Sequence, residues 1–313
     1  MASFLIKILK NNTLLFSSGK LLLTSEYMVL DGALALAIPT KLGQDLSVNI
    51  AEASDSKIFW NALHENKKWL QCTINFSDWS IVESNLPDAA DFILKTLQNV
   101  QQLASKSVFI KNHHYYIQTN LQFPADFGLG SSATLMNNLA DWAEIDAFQL
   151  NEICLGGSGY DIAVAKEKSA ILFQNSENSR KITPVIYEPS FKNELIFIHL
   201  NQKQNSRKGI AHYLAQTKSP DLIAEFSTLT KTIFESNDLQ QFSELMSEHE
   251  EIVANYLNLT PVKKKYFENY DGFVKSLGAW GGDFVLASKN GDYQKYFNER
   301  GFTKIFEWND LIL

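Results

Sequence analysis

The residues with the clearest chemical potential run from 128 to 134, "GLGSSAT". Two glycines strip bulk from the chain, and two serines lead into the apolar spacing of a helix. A helix N-terminus carries unpaired N–H groups and a partial positive charge. Glycines let an anion approach those groups. Gly128, Leu129, Gly130, Ser131, Ser132 and Ala133 therefore have the makings of a phosphate cradle. Either serine could donate a hydrogen bond or ligate a metal that bridges phosphates. Serine at a helix start is also an ordinary cap. The loop is neither a Walker A sequence nor a dinucleotide fingerprint, since no Gly-Lys-Ser/Thr ends it and no Gly-x-Gly-x-x-Gly occurs.

Two further glycine-rich turns accompany this one. "GGSGYDIAVA" (156–165) sets Asp161 where a short helix begins, and "GAWGGDFVLAS" (278–288) runs into a strand. Together with "SSGKLLLTSEYMVLDGALALAIP" (17–39), "PADFGLGSSAT" (124–134) and "SLGAWGGDFVLA" (276–287), they make the chain resemble the GHMP kinases. That family is named for galactokinase, homoserine kinase, mevalonate kinase and phosphomevalonate kinase. The three motifs stand in the family's order and are spread over most of the chain.

The resemblance implies a two-domain α+β fold, with an N-terminal domain like ribosomal protein S5 and a C-terminal ferredoxin-like domain. It also implies transfer of the γ-phosphoryl group of ATP, with Mg2+, to a small alcohol or phosphate. Asp161 matches the general base, which takes a proton from the acceptor hydroxyl. As an alternative, an Asp there simply caps a helix. Lys20 matches a lysine that some members place beside that aspartate, where a cation holds it ionised. Ser132 is the expected magnesium ligand, with Ser131 left to phosphate. Glu152 is the expected acidic ligand, with Glu144 and Asp146 as rivals. Glu26, Gly159 and Tyr160 are expected to meet the acceptor.

Three departures from the family pattern stand out. Ser25 replaces a glycine, and the stretch from Ser132 to Asp161 is short. Trp280 and Asp283 interrupt a run of small residues, so Trp280 is expected to crowd the loop bordering the site and Asp283 to add negative charge near the phosphates. "SEYMVLDGALALAIP" is most similar to the mevalonate and phosphomevalonate kinases, which points to mevalonate or its 5-phosphate as acceptor. Lys20, Arg207 and Lys208 are cations available to a phosphorylated acceptor. The alternatives are a sugar or amino-alcohol kinase of the same family, and a degenerate relative that binds without turnover.

Composition sets outer limits. The net charge of −7 makes nucleic acid an unlikely main partner, and 45% hydrophobic with 20% charged residues is ordinary for a globular protein. The two cysteines, Cys72 and Cys154, form no short-spaced pair, which suggests free thiols in the cytoplasm. No apolar run is long enough to span a membrane. The partners expected are ATP and a small acceptor, in a monomer or homodimer. Six histidines show no ligand spacing, and His249 falls on the core-facing stripe of a helix.

The elements that must hold these residues follow from periodicity. Strands are expected at "FLIKIL", "TLLF", "KLLLTSEYMVL", "ALALAIP", "DLSVNIAEA", "HHYYIQTNLQF", "SAILFQ" and "ELIFIHL". Helices are expected over 88–104, 132–145, 220–236 and 238–257. The polar stretch 175–184 reads as a boundary between domains 1–180 and 181–313.

Overall fold

The computed structural model describes residues 12–176, 179–202, 206–217, 219–278, 280 and 282–313. The expected "FLIKIL" strand lies outside them. The fold is mixed α+β, as the sequence indicates, and divides into two compact units.

The first unit comprises the described residues up to Gly19, then Leu42–Ala125 and Gly130–Lys166. Its sheet has the order β5-β4-β3-β6-β2, formed by Ser80–Ser84, Lys67–Asn75, Lys57–His64, His113–Leu121 and the later part of Ala35–Glu52. Among these five strands β3 and β6 run parallel, and the other pairs are antiparallel. Alternation is strict in β3, where Ile58, Trp60 and Ala62 are buried between less buried neighbours. Helix α1 (Pro87–Leu103) starts on Pro87 and packs on β4 and β5. It buries Ala90, Ile93, Leu97 and Val100 at helical spacing, with Phe92 and Leu103 half-buried beside them. Helices α2 (Ser131–Ala143), α3 (Ala147–Cys154) and α4 (Tyr160–Glu167) complete this unit.

The second unit comprises Lys20–Lys41, Asp126–Leu129 and Glu167–Leu313. In it the early part of β2 pairs with β7 (Ala170–Ser176), and β7 with β8 (Ser179–Val185). A separate antiparallel sheet has the order β10-β11-β9-β12, from Val274–Leu277, Phe284–Ser288, Leu195–His199 and Ile305–Glu307. Its two long helices are α6 (Pro220–Glu235) and α7 (Leu239–Leu257), capped by Ser219 and Asp238 respectively. A shorter helix, α5 (Ser206–Leu214), precedes them and α8 (Val262–Tyr266) follows.

Several expectations are corrected here. The stretch 175–184 is no linker: Asn175 pairs with Arg180 and Gln174 with Lys181 in the β7–β8 hairpin. The chain therefore does not part near residue 180, and the two units interleave instead. "ALALAIP" and "DLSVNIAEA" form one strand, β2, which passes from one unit to the other. The strand β1 (Thr13–Leu22) stops at Leu22, well short of "SEYMVL". Ser25 and Tyr27 adopt φ of 63° and 66°, which no strand accommodates, and a 3-10 turn spans Met28–Asp31. Among the described residues no helix is long and apolar enough to cross a membrane.

Candidate functional site

Helix α2 is held along its first half by a buried polar network within the first unit. Ser17 Oγ donates to Asn138 Oδ1 at 2.8 Å and accepts from Asn137 Nδ2 at 2.8 Å. Asn138 Nδ2 donates to the Gln44 carbonyl, and Thr134 Oγ1 to Gln44 Oε1, both at 2.8 Å. Three polar side chains on one helix thus anchor it to β1 and β2, beside the apolar residues Leu135, Met136, Leu139 and Trp142 that it also buries. Gly130 is the residue before the helix, with φ of 87°, and its carbonyl accepts the Thr134 N–H. That left-handed φ suits glycine. Ser131 and the exposed Ser132 follow, and neither hydroxyl has a hydrogen-bond partner among the described residues. The side chains of Leu129 and Ala133 are buried, so both could meet a ligand only through backbone.

In the second unit, Lys20 grips the preceding loop at two points. Its backbone N–H donates to the Leu129 carbonyl at 3.0 Å and its ammonium to the Gly128 carbonyl at 2.9 Å. In a trans peptide the carbonyl and the following N–H point in opposite directions. With those two carbonyls turned to Lys20, the N–H groups of Leu129 and Gly130 point away from it. Lys20 is thereby a residue that orients donors. Gly128 has φ of 70°, and a Cβ there would lie 2.3 Å from Asp283 Oδ2. Asp283, itself at φ 55° and 7% exposed, lays its carboxylate against the first glycine of the loop.

Asp161 lies in the first turn of α4, half-buried, with Oδ1 accepting the Ile162 N–H at 3.0 Å. Gly159 is buried behind it, and Tyr160 is half-buried. Asp161 belongs to the first unit and Lys20 to the second. Of the three candidate acids, Asp146 is committed to capping α3, accepting from Phe148 and Gln149 N–H at 2.7 and 3.2 Å. Glu144 closes α2 at φ 55°. Glu152 is exposed on α3. For a magnesium ion, the hydroxyl of Ser132 and the carboxylate of Glu152 are the right hard oxygen donors, and Mg2+ commonly takes few protein ligands besides phosphate and water. Among the described residues no three of His, Cys, Asp and Glu gather as an all-protein metal cage.

Glu26 is placed otherwise than an open acceptor contact would be. It is 1% exposed, and Oε1 accepts from Lys275 Nζ at 2.5 Å. Its Oε2 lies 3.4 Å from His249 Nε2. Burial pushes the Glu26 carboxyl up to about 7, opposed by the attraction of Lys275. His249 Nε2 accepts the Ser25 N–H at 2.7 Å, so the ring proton sits on Nδ1, and burial holds its pKa well below the usual value. Ser25 Oγ also donates to the Leu34 carbonyl at 2.7 Å. These bonds hold a non-glycine residue at the positive φ where the family pattern has glycine.

Two residues of this network were absent from the sequence reading. Lys275 is a fully buried lysine in "VKSL", and Glu250 lies on the apolar stripe of α7, between His249 and Val253. A charge inside an apolar run was the available signal. Glu250 accepts from Val262 N–H, Ser276 N–H, Ser276 Oγ and Trp280 Nε1, at 3.0 to 3.1 Å. It ties α7, α8, β10 and the third glycine-rich turn together. Trp280 consequently does not crowd an open loop. Its indole is 7% exposed in a cluster with Met28, Tyr213, Phe226, Val253 and Leu257. Lys208 is exposed, and the side chain of Arg207 lies outside the described residues.

No protein-family model and no curated protein matches the chain by sequence. Solved structures do match. The mevalonate kinase of L. major in complex with R-mevalonate superposes with a TM-score of 0.66 at 15% identity, covering 95% of this chain and 96% of that one. The Streptococcus pneumoniae phosphomevalonate kinase, in complex with phosphomevalonate and AMPPNP, gives 0.68 at 16% identity, covering 94% and 98%. The Lactococcus lactis galactokinase complexed with galactose gives 0.66 at 15%, covering 96% and 92%. At such identities the likeness is one of fold, over nearly the whole of every chain.

Proposed function

We propose that this chain, which has the fold of the GHMP kinases, is an ATP-dependent phosphotransferase acting on a small hydroxyl or phosphate acceptor. The observation that carries the reading is the loop at 128–132. Lys20 fixes its carbonyls, its N–H groups point away from that anchor, and two serine hydroxyls stand ready at the helix start. Backbone donors at a helix N-terminus suit a phosphate chain.

In this reading Gly128–Ala133 cradle the phosphates of ATP. Asp161 takes the proton of the acceptor hydroxyl as its oxygen bonds to the γ-phosphorus, and the bond to the bridging oxygen of ADP breaks. Lys20 keeps the loop donors aimed and adds positive charge beside it. Ser132 and Glu152 would hold Mg2+, which supplies neutralisation of the phosphate oxygens. Gly159 and Tyr160 flank the acceptor. Glu26 acts on the acceptor only through the segment that it anchors to Lys275. The sequence of residues 25–39 favours mevalonate or its 5-phosphate as acceptor.

A second reading, nucleotide binding without turnover, has one observation in its favour: the Asp283 carboxylate lies against Gly128. Release of ADP from Mg-ATP, measured over a panel of mevalonate, phosphomevalonate, homoserine and galactose, separates the two. Turnover with one acceptor, reduced by roughly 10² to 10⁴ in Asp161→Asn with ATP binding retained, is the expected outcome. A variant within about threefold of the parent removes Asp161 from the chemistry. ATP binding by calorimetry without turnover on any acceptor supports the second reading.

A further inference from the structure

The first unit has a concave feature on the sheet face opposite α1. Along β3 the residues Ile58, Trp60 and Ala62 point into the core, leaving Phe59 and Asn61 on the other side. Cross-strand register lines up one row of neutral hydrogen-bonding groups on that outer face. Gln71 stands opposite Asn61, Asn61 opposite Gln118, and Gln118 opposite Ser47. The adjacent row pairs Phe59 with Tyr116. Their rings stack at 5.0 Å between centroids and 11° between planes, with Tyr116 46% exposed. These rows line a hollow of about 750 Å³, within the range of ligand-sized sites.

The chemistry of the hollow is specific. Its lining includes one carboxylate, Glu83, and no Lys, Arg or His. Glu83 Oε1 already accepts the Thr73 hydroxyl at 2.9 Å. The charges at its margin satisfy each other, Asp55 meeting Lys57 at 2.8 Å and His114 at 2.5 Å. Asn61 Nδ2 donates to Gln118 Oε1 at 2.9 Å, while Asn61 Oδ1 is buried and has no hydrogen-bond partner among the described residues. That oxygen is closed to solvent, so the groups open to a ligand are those next to Asn61 in the row. The amides of Gln118 and Gln71 offer donors beside it.

We propose that this face is a binding site for a neutral saccharide. A sugar ring supplies hydroxyls that both donate and accept, matching an amide row that does the same. It also supplies a C–H face, which can pack on the exposed part of the Tyr116 ring, itself held by stacking on Phe59. An anion would find no counter-charge here. An extended peptide would need the strand edge for backbone pairing, whereas this is a sheet face.

The test uses the whole protein and neutral probes: glucose, galactose, N-acetylglucosamine, maltose and cellobiose, followed by calorimetry and amide chemical-shift perturbation. The expected result is saturable binding of at least one sugar, with shifts at Asn61 and Gln118. Asn61→Ala and Tyr116→Ala should each weaken it by roughly tenfold or more. Gln118→Ala gives a second amide variant should Asn61→Ala fail to fold. Glucose 6-phosphate should bind less tightly than glucose. Shifts at Asn61 and Gln118, on β3 and β6, place the bound sugar on this face and not at Asp161, whether or not the transfer proposal stands. Absence of saturation by every probe overturns the inference. So does binding that survives Asn61→Ala and Tyr116→Ala. A change of oligomeric mass in Tyr116→Arg would assign the face to a second copy of the chain and overturn it equally.

Discussion

At the scale of single residues, Gly128 and Glu26 show how little room these motifs leave. Gly128 abuts a carboxylate, and phosphate would bring further negative charge to the same loop. Replacing Asp283 by Asn keeps the shape and removes the charge. Asp283→Asn is expected to tighten ATP binding several-fold by calorimetry; weaker binding would mean that the carboxylate supports the loop or a metal instead. Glu26 has a different consequence. Its folded pKa, about 7, exceeds its ordinary 4.5, so the folded chain holds that proton more tightly than the unfolded one. Stability from this group is full below pH 4.5 and lost as pH rises through 7. Glu250, also raised by burial, acts with the same sign. His249, depressed below its ordinary 6.5, acts oppositely and only as pH falls below 6.5. The two effects oppose each other in the acid range, and only the carboxyl loss remains above it. Most of the carboxyl loss falls between pH 4.5 and 7, where His249 offsets part of it; above pH 6.5 the melting temperature is expected to fall further and level off near pH 8, the remaining loss of stability from Glu26 being about 1 kcal/mol. Glu26→Gln should flatten that decline, with Lys275 still bonded to the Ser276 carbonyl. An unchanged slope in Glu26→Gln would exclude Glu26 as its source.

At the scale of elements, the helix that opens the phosphate loop is held by amides and hydroxyls rather than by apolar burial alone. Asn138 bonds both Ser17 and the Gln44 carbonyl, and its own side chain is fully buried. Asn138→Ala strands two buried partners and is expected to cost about 1 to 3 kcal/mol in urea denaturation. Ser132→Ala, at an exposed hydroxyl one residue into the same helix, should leave the urea midpoint within experimental error and weaken Mg2+-dependent nucleotide binding. If both variants shift stability alike, the helix start is purely structural. The sequence made α1, α2, α6 and α7 readable because each buries a clear helical stripe. It did not reveal β3, β4 and β5, which no expectation covered. In β3 the outer positions carry Phe59 and Leu63 as well as Lys57 and Asn61, so alternation of burial exists without a clean alternation of polarity. In β8 the reverse holds: "SRKITPV" is largely exposed and ends near Pro184, as an edge strand can, and so it reads as a loop. Local composition records polarity, whereas a strand is defined by its neighbour.

At the scale of the whole molecule, the motifs were legible because they are short and local, but the division of the chain was not. Residues 20–41 group with the C-terminal half, although they precede the bulk of the first unit. The reason lies in contacts far apart in sequence. Lys275 is fully buried against Glu26, and Leu34 N–H is bonded by Ser227 Oγ. His249 receives Ser25, and Trp280 N–H donates to the Tyr27 hydroxyl. A polar segment at 175–184 gave a plausible place to cut, yet none of these pairs could be inferred from composition around it. Separate fragments 1–180 and 181–313 put this to the test. The second would keep Lys275, Glu250 and His249 but lose Glu26 and Ser25, leaving a buried ammonium without its ion-pair partner. Removing one member of a buried pair typically costs about 3 to 5 kcal/mol, a large share of the stability of an ordinary domain. It would also lose β7 and the first half of β2, so β8 would have no strand to pair with. Neither fragment is expected to show a cooperative urea transition alone by circular dichroism, whereas the intact chain should. A cooperative transition in isolated 181–313 would mean that its four-stranded sheet and two long helices hold together without the segment from Lys20 to Lys41. The buried ion pair would then be dispensable for folding, and its retention would have to be explained by the chemistry of the segment that carries Glu26.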